Sequence, residues 1–214
     1  MGYDLCLFDL DGTLTDSKPG IVASVKYALK SLGRAIPDED TLDLFLGPPL
    51  GDSFKEFCGF DDAGAKEAIA EYRVYLNDKG LYENSVYLGI EDLLQKLHQN
   101  GVKMAVSTSK PTVQAKKVLD HFNLARYFDL IVGSELDGTR SDKAEVIAYA
   151  LEKLDSSGRV VMIGDRKHDI IGAKTNGIDC IGVEWGYAKG DEIQQFVPLA
   201  IAKSPKELLY IILN

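Results

Sequence analysis

Two short segments of this 214-residue chain place carboxylates at spacings that suit chemistry. The first, Asp9-Leu10-Asp11-Gly12-Thr13, closes an apolar run from Tyr3 to Phe8. Residues two apart on an extended chain face the same way, so Asp9 and Asp11 are aimed at one place beyond the end of a strand. Gly12 permits the turn or close backbone approach that such a place requires. The second segment, Gly164-Asp165-Arg166-Lys167-His168-Asp169, also follows an apolar run. Asp165 and Asp169 stand one helical turn apart. Either pair alone is what turns and helix N-termini carry for their own reasons. Two strand ends with paired acids together offer oxygen ligands to a hard cation, and magnesium takes one or two carboxylates, waters and phosphate oxygens. His168 has no partner at metal-ligand spacing and is not read as a ligand.

The stretch Ser107-Thr108-Ser109-Lys110-Pro111 lies between the acidic pairs. A strand-end hydroxyl with the N-terminus of a following helix makes a phosphate cradle, and the same residues also suit a plain helix cap before a proline. Lys143 opens a later apolar helix, a position suited to anion contact; Arg140 is the competing cation. Lys110 reads either as added positive potential or as a surface residue ahead of a helix. Trp185-Gly186-Tyr187 reads as the rim of a pocket or as aromatic packing.

These residues need a frame. The runs Tyr3–Phe8, Val102–Ser107, Leu130–Val132, Val160–Ile163 and Cys180–Val183 read as buried strands. Helical patterns alternate with the later ones: Ile90 to Leu97 stopped by Gly101, Val113 to Phe122, Ala144 to Leu154, and Asp169 to Asn176 stopped by Gly177. Alternation of this kind predicts an α/β fold with a Rossmann-like parallel sheet covered on both faces, and ligands in such sheets sit beyond the carboxyl ends of the strands. Residues 17–84 break the alternation. Apolar stripes at Ile21–Leu32, Leu42–Leu46, Leu50–Phe57 and Ala65–Leu76 predict a helical domain inserted after the first strand, leaving 1–16 and 85–214 as the catalytic core.

Composition narrows the function. With 24 basic and 33 acidic residues the net charge is −9, which disfavours a nucleic-acid polymer as partner without excluding a small phosphorylated metabolite. Cys6, Cys58 and Cys180 are odd in number and far apart, consistent with thiols in a reducing cytoplasm. The N-terminus lacks the basic start of a signal peptide, and no apolar run approaches the length of a membrane span. A monomer is expected, since no long apolar surface stripe stands out.

Asp9-Leu10-Asp11-Gly12-Thr13-Leu14, Thr108, Lys143 and the Gly164-Asp165 to Asp169 segment resemble, in order, the four motifs of the haloacid dehalogenase superfamily of phosphohydrolases. Gly47-Pro48-Pro49-Leu50, Thr108-Ser109-Lys110-Pro111 and Gly164–Asp169 are most similar to its phosphoglycolate-phosphatase-like group. The resemblance implies a magnesium-dependent phosphatase acting on a small phosphomonoester. Asp9 would be the nucleophile and a metal ligand. Asp11 would be the general acid and base, with its main-chain carbonyl toward the metal. Thr108 and Lys143 would hold the phosphoryl oxygens. Asp165 would ligate the metal directly, and Asp169 through water or by orienting Lys143. The segment Gly138–Ala144 departs from the family pattern in lacking a proline near Lys143. The inserted helices resemble the family's first type of cap, with Gly47 and Pro48 expected to meet the substrate and Lys55 a further candidate. A 5'-nucleotidase and a sugar phosphomutase are the alternatives. The loop at Pro48 carries no basic residue before Lys55 to hold a second phosphate, which favours hydrolysis. A dehalogenase would leave Asp165 and Asp169 unexplained.

Overall fold

The computed structural model describes residues 2–155 and 158–214. The chain divides into two compact units, Met1–Asp16 with Val86–Asn214, and Ser17–Ser85.

The larger unit is built on a parallel six-stranded sheet. Its strands are β1 (Leu5–Phe8), β4 (Lys103–Pro111), β5 (Leu130–Ser134), β6 (Val160–Gly164), β7 (Asp179–Val183) and β8 (Ala200–Ala202). Two-residue strands β2 (Thr15–Asp16) and β3 (Ser85–Val86) pair separately, where the chain leaves and rejoins this unit. The sheet order is β5-β4-β1-β6-β7-β8. From β1 the chain therefore builds outward in one direction through β4 and β5, then returns to add β6, β7 and β8 on the other side. That reversal puts a crevice at the carboxyl end of β1, flanked by β4 and β6.

Leu5, Leu7, Ala105, Val132 and Met162 point to one face and share a core with helices α7 (Lys143–Leu154) and α8 (Lys167–Thr175), through Val146, Ile147, Ala150, Ile170 and Ala173. Cys6 and Phe8 alternate with Leu5 and Leu7 and are just as buried, so the opposite face is covered too. This is why β1 reads as an unbroken apolar run rather than an alternating one. Helices α5 (Ile90–Gln99) and α6 (Thr112–His121) pack on β4. The short helix α9 (Glu192–Gln195) contacts α8, and α10 (Pro205–Leu213) contacts α5 and β8.

The smaller unit holds helices α1 (Lys18–Ser31), α2 (Glu39–Asp43), α3 (Leu50–Cys58) and α4 (Asp62–Tyr75), followed by one π-helical turn over Leu76–Gly80. Ile21, Val25, Ala28 and Leu29 bury one face of α1, and Ala65, Ala68 and Tyr72 one face of α4. Phe45, Phe54, Phe57 and Phe60 pack edge to face, with ring centroids 5.1 to 5.9 Å apart. Gly20 fits here because a Cβ would lie 1.9 Å from the Gly80 carbonyl. Gly47, at φ 113, and Pro48 lie between α2 and α3, and Pro49 caps α3. Lys55 sits on α3 with its amine 3.3 Å from both Asp52 and Asp62, partners within its own unit.

Candidate active site

Asp9 follows β1 directly, and its N–H is held by the Ile163 carbonyl of β6 at 2.9 Å. The chain then closes on itself: Leu14 and Thr15 both donate to the Leu10 carbonyl, and Gly12 donates to Thr15 at 2.8 Å. Gly12 adopts φ +86, where a side chain would be strained. Its open face receives the Asp165 carboxylate; a Cβ there would stand 2.3 Å from Asp165 Oδ2. Asp165 follows β6, and Asp169 lies in the first turn of α8. Gly164 is required for similar reasons, since a Cβ would meet Asp169 Cγ at 2.1 Å.

Asp9, Asp165 and Asp169 converge, each buried, with ligand oxygens all within 4.8 Å of one another. Lys143, the first residue of α7, reaches between two of them: its Nζ lies 2.8 Å from Asp9 Oδ1 and 2.8 Å from Asp169 Oδ1. The amine also donates to the Ser107 carbonyl at 3.2 Å. Arg140 is turned elsewhere, to Glu135 and over the Tyr149 ring. The second carboxylate oxygen of Asp169 accepts from the Arg166 N–H at 3.1 Å. Asp165 accepts from the Thr13 hydroxyl at 3.1 Å and the Tyr187 N–H at 2.7 Å.

Asp11 does not join the trio through its side chain. Lys110 Nζ holds both of its carboxylate oxygens, at 2.9 and 3.1 Å. A shift of register in β4 between Thr108 and Pro111 brings Lys110 there. The lysine side chain is only 6% exposed, so its role is not that of a surface residue. Thr108 is buried beside this irregularity, and its hydroxyl accepts from the Lys110 N–H at 3.2 Å. In sequence, Trp185-Gly186-Tyr187 suits either a pocket rim or aromatic packing. The structure puts this turn against the acids: Trp185 Nε1 donates to the Thr13 carbonyl at 3.0 Å, and a Cβ on Gly186 would meet Asp165 Cβ at 2.2 Å. No periodic signal marks those contacts.

The electrostatics are those of a site short of positive charge. Burial raises Asp9; Lys143 pulls it back down and Asp169 and Asp11 push it up, leaving it at about 6. Asp165 is driven well above the usual carboxylate range by burial, then by Asp169 and Asp9. For Lys143, burial would lower the pKa, and the charges of Asp169 and Asp9 more than reverse it. Three buried carboxylates, two of them shared with one ammonium, offer only oxygen ligands and fit a hard divalent cation.

Two predictions follow from this balance. An acid whose pKa is raised on folding contributes stability that is whole below its unfolded value and lost as pH rises through its folded value. In the presence of EDTA, the thermal midpoint of the native protein should therefore fall relative to Asp9→Asn as pH rises from about 5 to about 7.5, across the folded value near 6. A gap that stays constant, or moves in favour of the native protein, would contradict the buried-charge account. Lys143→Met strips the ammonium from Asp9 and Asp169. It should cost about 3 kcal/mol or more, as breaking buried pairs does, lowering the midpoint of a chain this size by ~6 °C or more. Calorimetry with EDTA present tests this, and a midpoint within 2 °C or so of native would count against it.

Residues 6–183 match the haloacid dehalogenase-like hydrolase family. A 5'-nucleotidase of Pseudomonas aeruginosa is 48% identical over 200 residues, 92% of this chain and 89% of that protein. The tyrosine-protein kinase PtkA of Mycobacterium tuberculosis is 42% identical over 192 residues, covering 89% of this chain and 65% of its own length. A phosphoglycolate phosphatase of Colwellia psychrerythraea is 29% identical over 215 residues, 96% of this chain and 95% of that one. The crystal structure of a predicted phosphatase from Clostridium acetobutylicum superimposes with a TM-score of 0.93 at 47% identity, covering 100% of this chain and 99% of that one. The chain belongs to the haloacid dehalogenase-like hydrolase family. Phosphatases named for small phosphorylated metabolites are among its relatives. None of the helices among the described residues is long and apolar enough to cross a membrane.

Proposed function

We propose that the protein is a magnesium-dependent phosphatase of small phosphomonoesters, acting through an aspartyl phosphate on Asp9. The observation that carries this is the buried convergence of Asp9, Asp165 and Asp169 beyond the carboxyl end of β1, with Lys143 paired to Asp9 and Asp169. Asp9, Asp165 and Asp169 would hold the cation, with the Asp11 carbonyl as a further ligand. Bound there, magnesium offsets the repulsion between a carboxylate and a phosphate and polarises the phosphoryl group.

The rest belongs to the chain. An Asp9 oxygen attacks phosphorus in line, forming the P–O bond to Asp9 as the bond to the ester oxygen breaks. Asp11 gives the departing alkoxide its proton. Water then attacks the same phosphorus, Asp11 takes a proton from it, and the Asp9–phosphorus bond breaks to release inorganic phosphate. Thr108 and Lys143 hold the phosphoryl oxygens while charge builds on them. Lys110 anchors Asp11 between these tasks. The helical unit selects the leaving group, with Gly47 and Pro48 assigned to the contact.

Phosphoglycolate is favoured by the resemblance of three segments to that group, and a nucleoside 5'-monophosphate by the 48% identity to a 5'-nucleotidase. Phosphate release should be measured with and without magnesium from phosphoglycolate, nucleoside 5'-monophosphates and sugar phosphates, with ATP plus a tyrosyl peptide as a further arm. Magnesium-dependent release from one class is the expected result. Phosphate moved within a sugar, or onto tyrosine, in place of free phosphate would sink hydrolysis as the reaction.

A further inference from the structure

The turn after β7 does more than line the acids. Tyr187 donates its backbone N–H to Asp165 Oδ2 at 2.7 Å and its hydroxyl to Asp16 Oδ1 at 3.0 Å. The same hydroxyl meets that of Tyr87. Asp16 is the last residue of the larger unit before the inserted helices, and Tyr87 is the second residue after them. One residue thus touches a carboxylate of the acid trio and both places where the chain crosses between units. Neighbouring contacts stiffen the connection. Trp185 Nε1 holds the Thr13 carbonyl, the Thr13 hydroxyl holds the other Asp165 oxygen, and the Tyr87 N–H is bonded to the Leu14 carbonyl at 3.1 Å. Gly186 is packed so closely on Asp165 that a Cβ would stand 2.2 Å from Asp165 Cβ, which holds the 186–187 backbone against that residue.

We infer that Tyr187 is a positioning residue that couples the Asp165 carboxylate to both chain crossings, so that a cation at Asp165 and the order of residues 14–17 and 85–88 depend on one another. The inference rests on the metal site of the proposed function. Coupling of this kind is reciprocal, so it can be read from either end. A cation drawing on Asp165 fixes the 186–187 backbone, which fixes the ring and its hydroxyl, which in turn holds Asp16 and Tyr87. Conversely, crossings held in this arrangement keep Asp165 aimed.

The test uses the full chain, magnesium alone as the probe, and two readouts that need no turnover: calorimetric magnesium affinity and backbone hydrogen exchange. In the native protein magnesium should slow exchange in peptides covering residues 10–17 and 84–88. Tyr187→Phe keeps the ring and the N–H to Asp165 but loses the hydroxyl. It should weaken magnesium by ~5-fold, within the usual range of coupling between sites, and abolish the magnesium-dependent slowing at both crossings. Asp16→Ala should weaken magnesium similarly, and the double variant should be no worse than either single one, because both remove the same bond. Tyr3→Phe removes another tyrosine–aspartate bond, to Asp179 at 2.7 Å, and should change neither readout. If native protein binds magnesium but Tyr187→Phe keeps the native affinity and the slowing, or if the native crossings never respond, the coupling is wrong and the metal site stands. If native protein binds no magnesium, the metal reading fails and this inference with it.

Discussion

Asp9→Asn should lower phosphate release by at least ~10⁴-fold, the scale seen when a covalent nucleophile is removed. The amide keeps the shape of the carboxylate and can still meet Lys143, so the variant should fold. On the proposed mechanism it would lose the attacking oxygen and one anionic metal ligand. The two losses separate by measurement: magnesium titrated by calorimetry should weaken by a modest factor, while turnover at saturating magnesium remains lost. A second signature is structural. Asp9 is pushed up to about 6 by burial and by neighbouring acids, so replacing it with a neutral group should leave the metal-free protein at least as stable as the native one at neutral pH. Retention of 1% or so of native turnover would be far above the level expected without the nucleophile, and would reassign the covalent step to another group.

Gly12→Ala should impair both magnesium binding and turnover without touching a reacting group of the proposed mechanism. A methyl group there would fall 2.3 Å from Asp165 Oδ2 and 2.7 Å from its Cγ. Gly186 is also packed closely against Asp165, where a Cβ would stand 2.2 Å from Asp165 Cβ, so little room is left for the carboxylate to shift. Either the carboxylate leaves the trio or the Asp9–Thr13 turn lifts; both would move a proposed metal ligand. Magnesium affinity is expected to fall about 10- to 100-fold, as when supporting partners of metal ligands are lost, and turnover about 10²-fold, as for misplacement on the ångström scale. Gly138→Ala is the matched control. It has φ +94 and nothing within 4 Å, so it pays the backbone strain alone, about 1–2 kcal/mol. Equal magnesium affinities for the two variants would show that strain, and not the crowding of Asp165, governs Gly12.

What was legible in the sequence has a simple physical basis. Asp9, Asp11, Asp165 and Asp169 stood out because each pair closes an apolar run, and a buried parallel strand writes itself as such a run. Lys143 was legible from its place at a helix start, and the structure sets it between Asp9 and Asp169, with Arg140 turned to Glu135. Lys110 was not decidable, because only the irregular pairing of β4 with β5 turns it inward. Trp185-Gly186-Tyr187 was undecidable for a different reason: its partners Thr13, Asp16 and Asp165 are 22 to 172 residues away along the chain. Strand β8 and helix α10 escaped notice as well. The strand Ala200–Ala202 is only three residues long, too short for periodicity to register.

The strand order has a consequence for how this molecule tolerates wear. Of the six strands, β5 and β8 form the margins, and neither bears a carboxylate of the trio. Two strands, β7 and β8, stand outside β6 on one side, and β4 and β5 flank β1 on the other. Peeling that begins at the β8 margin, by a nick, a truncation or a passing fluctuation, must undo β7 before it reaches Asp165, and β6 before it reaches Asp9. Asp9 follows the strand that such erosion reaches only after β8, β7 and β6, so loss of the β8 margin alone leaves the geometry around Asp9 in place.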